Sequence, residues 1–137
     1  MSLRRTIQPD LRTREGRRDA VLFSVLYDTG ARVQEVIDLS AGDLRLESTA
    51  QVRLMGKGRK MRAVPVMHAT IQLLRDNLRE NGIDRPEHTD RPLFQNRLGT
   101  RFSRSGVRYV LHKYVTAVRN DRPGFTQSVS PHSIRHT

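Results

Sequence analysis

The apolar pattern of this chain starts abruptly after Asp19. Ala20, Val21, Leu22, Phe23, Val25, Leu26 and Tyr27 make a stretch that is apolar on nearly every side, which predicts a buried helix. Asp28-Thr29-Gly30 closes it, the glycine supplying the C-terminal turn. A short second helix, from about Arg32 to Leu39, follows from Val33, Val36 and Ile37 at i, i+3 and i+4. The period then changes from helical to two-residue. Asp43 to Leu46 and Ala50 to Met55 alternate apolar and polar positions, as half-buried strands do. Gly56-Lys57-Gly58-Arg59 is a turn, and Met61 to Val66 resumes the alternation, with Pro65 pointing to a sheet edge.

The remainder returns to helical spacing. Ile71, Leu74 and Leu78 mark a helix closed at Asn81-Gly82. Residues 83–100 hold Pro86, Pro92 and Gly99 and read as loop, anchored by Leu93-Phe94. Ser103 caps a helix whose apolar stripe is Val107, Val110, Leu111, Tyr114, Val115 and Val118, with Arg104, Arg108, His112 and Arg119 opposite. After a second loop, Pro131 takes a first-turn position and His132 opens a last helix that stops one turn in, as a fragment would. The fold class expected is α+β, predominantly helical, with helices around a small three-stranded antiparallel sheet.

Composition narrows the partner. Lys and Arg number 25 against 14 Asp and Glu in 137 residues, a formal charge of +11. On a chain the size of one domain this points to a polyanionic partner. No apolar run approaches a membrane span and no secretory h-region follows the N-terminus, so the expectation is an intracellular protein without a membrane segment. Cysteine is absent, which removes disulfides, thiolate nucleophiles and Cys-based zinc sites, and the five histidines lack a metal-binding spacing. Residues 1–18 carry Arg4, Arg5, Arg12, Arg14, Arg17 and Arg18 without apolar periodicity and read as a basic segment or linker ahead of a domain over 19–137.

Three separated segments carry candidate chemistry. In Thr29-Gly30-Ala31-Arg32-Val33-Gln34-Glu35 a glycine turn feeds a helix start, where an arginine beside free N–H groups suits an anion; a surface Arg32–Glu35 pair is the plainer alternative. Gly56 to Arg62 sets Lys57 between glycines on a hairpin. The turn can approach a phosphate backbone closely there, and neighbouring cations ease proton donation; a solvated basic hairpin is the alternative. In Pro131-His132-Ser133-Ile134-Arg135-His136-Thr137, His132 and Arg135 share one helix face, and both donate hydrogen bonds suited to phosphate oxygens, although such a pair alone arises by chance on many helices.

Taken together and in this order, the T-G-A-R-V-Q-E box, the hairpin from Gly56 to Pro65 and the P-H-S-I-R-H-T box resemble the catalytic domain of the tyrosine recombinase (phage integrase) family, over about Arg17 to Thr137. The resemblance implies a site-specific recombinase that cleaves and rejoins double-stranded DNA. Arg32, His132 and Arg135 would hold the non-bridging oxygens of the scissile phosphate, and Lys57 would protonate the departing 5′ oxygen. A tyrosine would attack phosphorus to form a transient 3′-phosphotyrosyl link, whose energy allows rejoining without a cofactor or metal. Fixed cations aimed at the growing equatorial charge lower the barrier. Glu35 and Asp43 would be supports, and Arg59, Lys60, Arg62, Arg101, Arg104 and Arg108 would track the DNA backbone or form a solvated face. The resemblance also implies a homo-oligomer on DNA when full length, and a cytoplasmic, nucleoid-associated location.

The chain departs from the family downstream. The family places a second His or Trp and then the nucleophilic tyrosine after the H-x-x-R box, whereas Tyr27, Tyr109 and Tyr114 all precede it and are assigned to packing. The expectation is a domain truncated before its nucleophile, inactive alone. No segment corresponds to the family's N-terminal DNA-clamping domain. The rivals are a non-catalytic DNA-binding module of degenerate recombinase origin, a type IB topoisomerase, and a basic RNA-binding protein; the last lacks an aromatic stacking platform.

Overall fold

The computed structural model of the chain describes residues 8–121. Its first helix, α1, runs over Arg14–Thr29 and so begins ahead of the apolar run. The polar first turn is helical because Thr13 caps it, its Oγ1 accepting from Gly16 N at 2.9 Å, and because Arg17 pairs with Glu80 at 2.7 Å. Apolar periodicity registers neither effect. Val21 to Leu26 are all buried, as expected, and α1 ends on Gly30 in the left-handed conformation (φ 62°), whose N–H reaches Leu26 O.

Helix α2, Val33–Ile37, is a little over one turn long. The chain then enters a sheet through a 3₁₀ turn at Ala41–Asp43, where the Asp43 carboxylate takes the Ser40 N–H at 2.9 Å. This leaves a shorter first strand than the alternation suggests. Strands β1 (Leu44–Arg45), β2 (Gln51–Met55) and β3 (Met61–Pro65) form the expected antiparallel sheet in the order β1-β2-β3. Val52 opposes Val64 and Leu54 opposes Arg62, so these residues share the core-facing side. Val52 and Leu54 are fully buried there.

Helix α3, His68–Glu80, is capped from a distance: Asp28 Oδ2 accepts from Met67 N at 3.0 Å and from Thr70 Oγ1 at 2.6 Å. The loop after it is pinned by Leu93 and Phe94, both buried. Ser103 Oγ then accepts from Gly106 N at 3.0 Å and opens α4, Arg104–Asp121. Val107, Val110 and Leu111 join the core with residues of α1 and α2.

A buried polar link ties α1 to α4. Asp19, wholly buried, accepts from Tyr114 Oη at 2.8 Å, Lys113 Nζ at 3.3 Å and Arg18 Nη2 at 2.9 Å. Burial and this hydrogen bond push the Tyr114 phenol well above its ordinary pKa, and its ring meets Phe23 edge-on at 5.3 Å. Tyr114 is therefore a packing residue. Tyr27 and Tyr109 are more open, 44% and 71% exposed. No helix among the described residues is long and apolar enough to cross a membrane.

Candidate functional site

Arg32 stands at the N-terminal boundary of α2 with extended backbone (φ −73°, ψ 150°). The approach to it is fixed. Thr29 Oγ1 donates to Val25 O at 2.7 Å and accepts from Ala31 N at 3.2 Å, and Ala31 is buried. The guanidinium-bearing side chain of Arg32 remains exposed. Glu35 folds back from the first turn of α2, and its Oε1 accepts from Arg32 N at 2.9 Å. It thus holds the backbone at Arg32.

The same carboxylate reaches across the chain. Glu35 Oε2 pairs with Arg62 Nη1 at 2.5 Å, and a second contact joins Arg62 Nη2 to Oε1 at 3.3 Å. Arg62 can do this because its position opposite Leu54 turns it under the sheet. The Glu35 carboxylate raises the Arg62 pKa above its ordinary value. Gly56 closes onto the pair: a Cβ there would stand 3.2 Å from Arg62 Nη1 and 3.4 Å from Glu35 Oε2. The first two sequence boxes are thereby fastened to each other through Glu35, which holds Arg62 of the hairpin and the Arg32 N–H at once.

That tip is tightly turned. Gly56 N–H reaches Lys60 O at 2.9 Å, and Arg59 N–H reaches Gly56 O at 3.2 Å. Gly58 (φ 74°) and Arg59 (φ 58°) both take left-handed backbone, which suits the glycine and strains the arginine. Lys57, Arg59 and Lys60 are exposed, as are Arg104 and Arg108 on the outer side of α4.

Two of the cations expected to track DNA are also held within the fold while remaining exposed. Arg62 is committed to Glu35. Arg101 donates to Ile37 O at 2.8 Å, Leu39 O at 2.9 Å and Ser40 Oγ at 3.0 Å, so its guanidinium closes the C-terminal end of α2. Strand alternation carries the signal for Arg62, which is in phase with Val64 and Val66. Nothing local marks Arg101, because its partners lie more than sixty residues away. Asp43 supports the strand entry through Ser40 and sits 3.6 Å from Arg53. His132 and Arg135 lie outside the described residues.

Among the described residues, no group of three or more His, Cys, Asp or Glu could hold a metal ion. A concavity of about 350 Å³, lined by Arg14, Arg18, Asn77, Glu80 and Arg97 among others, lies at the opposite end of α1 from Arg32 and takes no part in this constellation.

The profile of the phage integrase family matches residues 5–137. The chain is 38% identical over 130 residues to the putative integrase/recombinase y4rD of Sinorhizobium fredii, covering 93% of this chain and 46% of that protein. It is 33% identical over 129 residues to the tyrosine recombinase XerC of Chlamydia pneumoniae, covering 94% and 39%. The chain thus spans less than half the length of these curated relatives. Among solved structures it is similar to the XerH site-specific recombinase bound to its difH substrate in a pre-cleavage complex. That match has a TM-score of 0.70 and 27% identity, over 93% of this chain and 36% of that one. The Tn1549 transposon integrase in complex with transposon right end DNA shares the fold at a TM-score of 0.72 and 17% identity, over 97% and 47%. A basic α+β chain, with its arginine box bolted to a glycine-flanked lysine hairpin and this profile matched almost end to end, belongs to the phage integrase family.

Proposed function

We propose that this chain is the phosphate-binding part of a tyrosine recombinase catalytic domain, with residues 19–137 as the domain and 1–18 as a basic lead-in whose last residues are absorbed into α1. The reading rests on one observation: the Glu35–Arg62 pair under Gly56 holds the Arg32 end of α2 to the Lys57 hairpin. Arg32 contributes a planar fork for the non-bridging oxygens of one DNA diester, and His132 and Arg135, carried over from their motif, complete the anion cradle. A tyrosine oxygen attacks phosphorus as the bond to the 5′ oxygen breaks, and Lys57 delivers a proton to that leaving oxygen. The relatives are described as recombinases and integrases, and two matched structures hold DNA, which supports duplex DNA as the partner. Assembly as a homo-oligomer on DNA and a place beside the nucleoid follow from the same reading.

The test is covalent trapping. The full-length protein, incubated with a nicked suicide duplex, should accumulate a protein–DNA adduct. Arg32→Ala or Arg135→Ala should lower its yield by about a hundredfold or more, the scale of losing one charge-stabilising contact in the transition state. An unchanged yield would remove the site assignment. For the chain itself, duplex affinity should fall steeply as salt rises.

A further inference from the structure

We propose that Arg101 is a positioning residue for Arg32, acting through the C-terminal end of α2; the inference rests on the recombinase reading of Arg32. Helix α2 has five residues. A helix that short cannot hold itself, because nearly all its backbone groups are terminal and few intrahelical bonds form. Its tilt, and with it the direction in which Arg32 projects, must come from contacts outside it. At the N-terminal end Arg62 of β3 holds the Glu35 carboxylate, which in turn secures the Arg32 N–H. At the other end the structure supplies Arg101, whose guanidinium bonds Ile37 O, Leu39 O and Ser40 Oγ together. A planar fork can meet three acceptors in one fixed arrangement, which an ammonium on a flexible stem cannot.

Arg101 is itself held from both sides. It bridges to Gln95 across a turn in which Asn96 Oδ1 accepts from Leu98 N at 2.9 Å and from Thr100 N at 3.1 Å. On its other side Phe102 N–H reaches Phe94 O at 2.9 Å, and both phenylalanines are buried. The segment that receives the fork is laced to the same loop, with Leu93 N to Leu39 O at 3.0 Å and Ala41 N to Arg91 O at 2.9 Å. A rigid path therefore runs from the core through Arg101 to the helix that carries Arg32. Small displacements of a catalytic arginine are costly, so a clamp at this point governs function beyond its share of stability.

The experiment is a double-mutant cycle on the 137-residue chain, reading affinity for a short fluorescent DNA duplex by anisotropy alongside thermal unfolding. Arg101→Met alone should weaken binding about fivefold, within the coupling range of residues that share a network, and should weaken it by less than about twofold when Arg32 is already alanine. Arg101→Lys should behave like Arg101→Met despite keeping the charge, and it serves as the cycle's second arm if the methionine variant unfolds. Equal losses in both backgrounds would overturn the inference, since a direct phosphate contact or a general loss of stability acts independently of Arg32. No loss from either Arg101 variant would overturn it as well. If Arg32→Ala alone leaves affinity unchanged, the recombinase reading of Arg32 fails first, and this inference falls with it.

Discussion

Removing Arg62 and removing the charge of Glu35 should not cost the same, although the two form one ion pair. The Glu35 side chain is 10% exposed and that of Arg62 is 46% exposed. Arg62→Met strands a carboxylate where water barely reaches, while the Arg32 N–H continues to donate to it. The cost should be about 2–3 kcal/mol, below the usual range for a broken buried pair because that hydrogen bond survives. Glu35→Gln leaves the guanidinium free to turn to solvent, and the amide oxygen still accepts from Arg32 N. Its cost should be about 1 kcal/mol. The double variant Glu35→Gln/Arg62→Met should be more stable than Arg62→Met alone, since the stranded charge is gone. Urea unfolding midpoints at constant m-value measure all three. If Glu35→Gln proves as costly as Arg62→Met, or the two losses simply add, the account of Glu35 as a buried charge held by Arg62 is wrong.

Arg59→Gly should relieve a left-handed backbone (φ 58°) and raise stability by about 1 kcal/mol; the same change should weaken duplex binding and lower the salt slope by about one. A gain in stability with unchanged DNA affinity would show that the arginine side chain contributes nothing at the hairpin tip. Asp28→Ala removes the acceptor for Met67 N and Thr70 Oγ1 and should cost about 1–2 kcal/mol, with faster amide exchange at Met67; unchanged exchange there would refute the long-range cap. Arg17 holds the Glu80 carboxyl below its ordinary value of 4.5. A depressed carboxylate pKa stabilises the fold above the unfolded value and loses that contribution as pH falls through the folded one. The stability gap between the wild type and Glu80→Gln should therefore be constant near neutrality and shrink below about pH 4.5; a gap that does not change with pH would exclude the Arg17 pairing as its source.

Much of the architecture was legible in the linear pattern. The run from Val21 to Leu26, the alternating Val52 and Leu54 of β2 and the Leu93-Phe94 anchor are all buried. Periodicity works in these places because removing apolar side chains from water outweighs the other local preferences, and the buried positions repeat with the geometry of the element. It failed at the start of α1, where a threonine cap and a cross-chain ion pair make a polar turn helical. It also misread Tyr27, which lies on an apolar stretch yet faces water.

The site divides along the same line. Residue order alone marked Arg32, Glu35 and Lys57, because their chemistry is written in short motifs whose glycine turns are local. The partners of Arg62 and Arg101 were decided only in three dimensions. Both are cations, and a sequence places every cation in reach of a polyanion; the fold gave one to a buried carboxylate and the other to the open end of a five-residue helix. Local spacing determines which side chains an element presents, whereas the partner of a charge depends on which distant backbone arrives beside it, and that is settled by packing.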